Sequence, residues 1–202
     1  MGASWRTERD ALTYGDGTGD PLWVVVGPSG SGKTTLVEAL VRSGPGLVRA
    51  VTCTTRPPRQ GERDGLDYCF RSEEAFSAMM AAGELVEHTR YGGYRYGLPW
   101  ASLGDGREAV IVVVDPPGVA NLRGGLGRPM VVLGLAGPGE AELRRRLTGR
   151  GDAEADIRTR LALARDEAEA IRACADVLLP SLAPEALRVA VERVMQERRA
   201  HR

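Results

Sequence analysis

Residues 22–34 read Leu22-Trp-Val-Val-Val-Gly-Pro-Ser-Gly-Ser-Gly-Lys-Thr34. The apolar run Leu22–Val26 is short, Val-rich and stops at a glycine, which predicts a strand buried on both faces. Gly27-Pro-Ser-Gly-Ser-Gly-Lys-Thr34 then satisfies G-x-x-x-x-G-K-[ST], the Walker A pattern. Thr34–Arg42 follows with helical periodicity at Leu36, Ala39 and Leu40. Strand, glycine loop and helix in that order are the setting in which this pattern holds phosphate. Glycines bring the main chain up to an anion without a Cβ in the way. Successive N–H groups and the helix N-terminus then bind it. The expected ATP-binding residues are therefore Gly27, Ser29, Gly30, Ser31, Gly32, Lys33, Thr34 and Thr35. Lys33 serves the β/γ-phosphate oxygens, and the Thr34 hydroxyl serves Mg2+.

Outward from this loop, buried runs alternate with helical patterns. Leu47–Cys53, Ala109–Val114, Met130–Leu135 and Val177–Leu179 read as strands. Glu140–Leu147, Ala153–Ala175 and the amphipathic Pro184–Arg199 read as helices. This alternation implies an α/β three-layer sandwich of the P-loop NTPase type with a parallel central sheet. Residues 55–99 break the pattern. They hold an Arg/Pro/Gly-rich stretch and a short helix Ser72–Ala82 capped by Ser72. Two short strands, Glu84–Tyr91 and Tyr94–Gly97, flank Gly92-Gly93. This block reads as a small mixed β/α insertion that binds the acceptor, inside a domain spanning 21–202 with its core at 21–54 and 100–202. Residues 1–20 read as a flexible extension. Asp115 ends Val110-Ile-Val-Val-Val-Asp115. A strand-end acid caps a following helix or holds the water shell of Mg2+, and the glycine loop in the same chain favours the metal role.

Composition excludes several classes. Of 202 residues, 43% are apolar and 27% charged, with Lys+Arg and Asp+Glu balanced at 27 each. No global field points to nucleic acid or an anionic membrane surface. The apolar runs fall far short of the ~20 residues that span a bilayer. Trp5, Arg6, Glu8, Arg9 and Asp10 give the N-terminus no signal-peptide character. Cys53, Cys69 and Cys174 lack disulfide or metal spacing. The expectation is a cytoplasmic protein with reduced thiols.

Thr52-Cys-Thr-Thr-Arg-Pro-Pro-Arg-Gln-Gly-Glu62, followed by Asp67-Tyr68, sets two arginines three apart on a Pro-stiffened loop. Such guanidinium forks suit a phosphate dianion, though a solvated basic turn has the same composition. With the glycine loop before it, this segment resembles the guanylate kinase family, whose P-loop is followed by TTR-x-PR-x-GE and a tyrosine. The resemblance runs from about Leu22 to the C-terminal helix. It implies an ATP-dependent nucleoside monophosphate kinase, with GMP as acceptor, Mg2+ as cofactor and a monomeric or homodimeric state.

The resemblance also implies roles. Arg56 and Arg59 would grip the acceptor phosphate, and Tyr68 and Tyr96 would donate hydroxyls to it. Glu87 would accept guanine N1–H and N2–H, and Thr52 would bond the base. Arg145-Arg-Leu-Thr-Gly-Arg-Gly151 resembles the helical lid, about 140–160. Arg146, Arg150 and Arg160 would join Lys33 and Arg56 as catalytic charges. Three positions depart from the family. Leu98 replaces a hydroxyl that contacts the base, Val113 replaces the first of two acids, and Pro180-Ser181 replaces an Asn near the adenine. On this reading Leu98 and Val113 line the acceptor pocket. Tyr96-Gly-Leu-Pro99 is also similar to the turn of the ribose 1,5-bisphosphate phosphokinases. A modified nucleotide, or a non-catalytic binding module, completes the alternatives.

Overall fold

The structure, a computed structural model, describes residues 20–28, 31–44, 46–104, 108–149 and 153–200. In chain order the elements are β1 (Leu22–Val26), α1 (Lys33–Ser43), β2 (Leu47–Arg49), β3 (Cys53–Thr54), β4 (Cys69–Phe70), α2 (Glu73–Ala81), β5 (Leu85–Tyr91) and β6 (Tyr94–Pro99). A 3-10 turn at Trp100–Leu103 leads to β7 (Ala109–Val113), α3 (Pro116–Gly125), β8 (Met130–Leu135), α4 (Glu140–Gly149), α5 (Glu154–Cys174), β9 (Val177–Leu179) and α6 (Pro184–Ala200).

Five strands form a parallel sheet in the order β2-β7-β1-β8-β9, with β1 at its centre. Every residue of β1 is inaccessible to solvent because both faces of the sheet are covered. The pleat sends Trp23 and Val25 into one apolar layer with Leu36, Leu40, Leu187 and Val191 of α1 and α6. Leu22, Val24 and Val26 enter the opposite layer with Val119 and Leu122 of α3 and Ile171 of α5. A second, mixed sheet has the order β4-β3-β6-β5. In it Glu87, Thr89 and Tyr91 alternate along β5, and Gly92 and Gly93, both at positive φ, turn the hairpin into β6.

Gly134 of β8 marks the tightest packing against α5. A Cβ there would stand 2.7 Å from the Ala175 Cβ and 3.1 Å from Ile171 Cγ2, and neither neighbour is a flexible chain end. Gly134→Ala is expected to destabilise the fold by about 1–3 kcal/mol. The measurement is a lower urea midpoint at unchanged m value.

Two sequence expectations are corrected. Leu47–Cys53 is not one strand. The backbone leaves the parallel sheet after Ala50, whose N–H donates to Ile111 O at 2.9 Å. Cys53 then pairs with Cys69 and Gly97 in the second sheet. Secondly, the extension expected over 1–20 does not include Asp20. Its carboxylate accepts from Arg199 Nε at 2.9 Å and Nη2 at 2.8 Å, and its carbonyl from Arg128 Nη2 at 2.8 Å. Residues 1–19 lie outside the described residues. One helix that the sequence analysis does not name, α3, begins at Pro116 directly after Asp115. Proline is tolerated in the first helical turn, where its missing N–H costs nothing, and Asp115 caps that turn.

One backbone crossing between the sheets runs through residues 50–52, and another begins with the turn Trp100–Leu103 after β6. Ser102 Oγ donates to Val51 O at 2.7 Å and ties one crossing to the other. The three cysteines are free thiols. No helix among the described residues is long and apolar enough to cross a membrane.

Candidate active site

At the end of β1 the chain turns into α1 through Gly32, whose φ of 86° belongs to the left-handed region that glycine adopts without strain. Gly27 has no room for a side chain, since a Cβ would meet Ser31 Oγ at 2.7 Å and Leu135 Cβ at 3.0 Å. The Lys33 ammonium donates to Gly27 O at 2.5 Å and Pro28 O at 2.9 Å, folded back over the loop. Burial holds its pKa below the usual lysine value, and Glu167 opposes that shift. Thr34 and Thr35 follow in the first turn of α1. Ser29 and Gly30 lie outside the described residues.

The second sheet supplies the facing wall. Arg56 is 7% exposed, and its Nη2 donates to Glu62 Oε1 at 2.8 Å and Oε2 at 2.9 Å. Its Nη1 donates to Pro57 O at 2.7 Å, and its guanidinium stands 5.3 Å from the centre of the Tyr68 ring. Glu62 also accepts the Arg59 N–H at 2.8 Å, and the Arg56 hydrogen bond holds its carboxyl below the usual range. Both arginines expected at the acceptor phosphate line the cleft, in different settings. The Nη2 of Arg56 braces the loop internally, while the Arg59 side chain remains exposed along the cleft.

Two acids meet at the end of β7. Asp115 Oδ1 accepts from Gly118 N at 2.8 Å and Oδ2 from Thr89 Oγ1 at 2.9 Å. Glu87 is 5% exposed, and its Oε2 is without a hydrogen-bond partner among the described residues. Burial, then the nearby Asp115 charge, pushes its pKa up to about 8. Gly118 fits between them. A Cβ there would stand 3.0 Å from Asp115 Oδ1 and 3.2 Å from Glu87 Oε2.

One cleft of about 340 Å³ unites these groups. Gly27, Gly32, Lys33, Thr34 and Thr35 line one end, and Thr52, Arg56, Arg59, Tyr68, Glu87, Tyr96, Val113 and Asp115 line the rest. Leu98 is the exception. It is wholly buried among Leu22, Val24, Leu103 and Val119, while its neighbour Gly97 reaches the cleft, so position 98 belongs to the core. Arg146 lies in α4 and Arg160 in α5, but their side chains, and Arg150 entirely, are outside the described residues.

Sequence reasoning missed Thr89, Tyr91 and Glu167, which also line the cleft. Thr89 and Tyr91 share a strand face with Glu87, so the period of two along β5 was signal enough. Glu167 sits in the run Arg165-Asp-Glu-Ala-Glu169, which reads as a solvated helix face.

The model of the family described as guanylate kinase matches residues 20–196. The chain belongs to the guanylate kinase family. A guanylate kinase of Granulibacter bethesdensis is 40% identical over 168 residues, covering 81% of this chain and 78% of that protein. One from Streptomyces kasugaensis is 41% identical over 150 residues, covering 72% and 73% respectively. The crystal structure of guanylate kinase from Anaplasma phagocytophilum superposes with a TM-score of 0.72 at 26% identity, over 90% of this chain and 87% of that one. The cleft thus lies in the fold of a known guanylate kinase, between the parallel sheet and the smaller mixed one.

Proposed function

We propose that this chain transfers the γ-phosphoryl group of ATP to GMP, giving ADP and GDP. One observation carries the reading: a lysine-centred anion loop and an Arg59, Tyr68 and Tyr96 cluster open into the same cleft. In phosphoryl transfer the protein positions two anions and neutralises charge, with little covalent work of its own. Lys33 moves from the Gly27 and Pro28 carbonyls to the donor phosphates. Arg59 and the two phenols bind the acceptor phosphate, on a loop stiffened by Arg56 and Glu62. Arg146, Arg150 and Arg160 add positive charge as the lid closes and excludes water. Leu143 of α4 packs on a small core formed by Leu147, Ile157 and Leu161.

The groups at the donor end suit Mg2+. A threonine hydroxyl at the mouth of the phosphate loop and a nearby carboxylate are hard oxygen ligands, and magnesium keeps most of its waters. Thr34 would hold the ion, and Asp115 would reach it only through water. When bound, the ion neutralises charge on the transferring phosphates.

Glu87 reads the base on this proposal. A buried carboxylate with an unused oxygen calls for N–H donors, which guanine offers and a baseless sugar bisphosphate does not. The buried position of Leu98 takes that side chain away from the acceptor, so the Tyr96-Gly-Leu-Pro99 turn lends less support to a sugar-bisphosphate acceptor. Lys33 in the cleft speaks against a non-catalytic module. Arg59→Ala is expected to raise the acceptor KM by about tenfold to a hundredfold, with little change in ATP affinity. Steady-state kinetics with each substrate varied check this, and an unchanged acceptor KM removes Arg59 from the site. The activity itself is tested by coupled detection of ADP with ATP-Mg and GMP, dGMP, AMP, CMP, UMP or ribose 1,5-bisphosphate. A preference for any acceptor other than a guanine nucleotide overturns the reading.

A further inference from the structure

Glu167 of α5 has no part in the scheme above, yet its position is unusual. It lines the phosphate cleft with Lys33, Thr34 and Thr35. It also lines a second cavity of about 720 Å³, bounded by Pro28, Leu135, Leu147 and Leu161 beneath the lid helices. Among the described residues it is the one that borders both. The other acids lining the cleft are Glu87 and Asp115 at the end of β7, where Thr89 and Gly118 engage both oxygens of Asp115. Glu167 differs in that both of its carboxylate oxygens are without a hydrogen bond among the described residues, and its charge acts on that of Lys33 across the phosphate loop.

A carboxylate is a poor neighbour for a bare triphosphate. In the empty cleft it balances the Lys33 ammonium. Once the lysine turns to the donor phosphates, the carboxylate faces anion alone. Its favourable partner there is a hydrated divalent cation, whose waters donate hydrogen bonds to it.

We propose that Glu167 is a positioning residue that makes the donor site selective for cation-bound nucleotide, opposing the bare polyphosphate and accepting hydrogen bonds from the water shell of the bound ion. This rests on the donor-site reading above. It predicts that Glu167 acts with opposite sign on the two forms of the donor. A residue that merely supported α5, or paired with a lid arginine, would act on both forms alike.

The test is equilibrium binding of a non-hydrolysable ATP analogue by calorimetry, with Mg2+ and with EDTA, to the whole chain. Removing one charge at this separation is expected to tighten the metal-free Kd of Glu167→Gln by about threefold to tenfold. Lost water contacts are expected to weaken its Mg2+-bound Kd by a similar factor. The ratio of the two constants therefore falls about tenfold or more. Glu167→Asp keeps the charge and retains most of the wild-type ratio. Glu167→Ser repeats the neutral test with a smaller side chain if the amide disturbs packing. Equal shifts of both constants, or an unchanged ratio, overturn the proposal. Failure of the wild-type chain to bind the analogue with Mg2+ overturns the donor-site reading itself, so the two failures are told apart.

Discussion

Lys33→Ala is expected to leave a folded protein whose kcat is lower by about a thousandfold or more. The size follows from what Lys33 supplies. It is the ammonium at the donor end of a partly enclosed cleft, where charge that develops on migrating phosphate oxygens is poorly screened by water. No water dipole replaces a fixed cation there without reorganising. The fold has little stake in the residue, because its hydrogen bonds go to two carbonyls of the loop rather than to the core. Thermal unfolding within a few degrees of the wild type, together with lost turnover, is the expected pair of results. Substantial phosphoryl transfer by the variant would contradict the phosphate role.

Glu87→Gln is expected to lower kcat/KM for GMP by about a hundredfold to a thousandfold, and far less for a nucleotide with no N–H donors at that edge. An amide offers one acceptor where two donors arrive, and its NH2 then faces the base with nothing to accept it. The wild-type enzyme should also show a pH signature. In the empty cleft Glu87 keeps its proton up to about pH 8, because burial and then Asp115 disfavour the charge. Only the ionised form accepts from both guanine N–H groups. The KM for GMP therefore falls as pH rises, by up to about tenfold per unit below 8, and levels off above it. In Glu87→Gln that slope disappears.

Stability carries the opposite sign. The folded pKa of Glu87 lies above its unfolded value of about 4.3, so the folded state holds the extra proton between the two. This contribution is fully present below about pH 4 and is lost as pH rises through about 8. Urea unfolding at pH 6 and pH 9 reads the difference, and the glutamine variant should show a smaller one. Affinity for the acceptor thus improves over the same pH range in which the empty protein loses stability.

The parallel core was legible because burial on both faces writes itself as unbroken Val-rich runs. Leu22–Val26 and Met130–Leu135 have their predicted bounds. Ser72 was legible as a cap, and its hydroxyl accepts the Ala75 N–H at 3.1 Å. The run Leu47–Cys53 misled because hydrophobicity says that a residue is buried and not which sheet buries it. Leu98 misled for a related reason. Aligned by family it stands where a base contact belongs, whereas the pleat turns it into the core and leaves Gly97 at the cleft. Arg56 was visible as a cation, but its pairing with Glu62, six residues on, depends on how the proline loop closes. Glu167 carried no signal, since nothing in a charged helical run marks the one acid that turns inward.

The hydrogen bond from Ser102 to Val51 has a wider consequence. The phosphate loop follows the parallel sheet and the Arg59, Tyr68 and Tyr96 cluster belongs to the mixed one, so this bond holds together two of the linkers on which the spacing of the cradles depends. Turnover is thereby exposed to mutation at Ser102, which does not line the cleft. Descendants of this sequence could retune speed there while every ligand-facing side chain stayed the same.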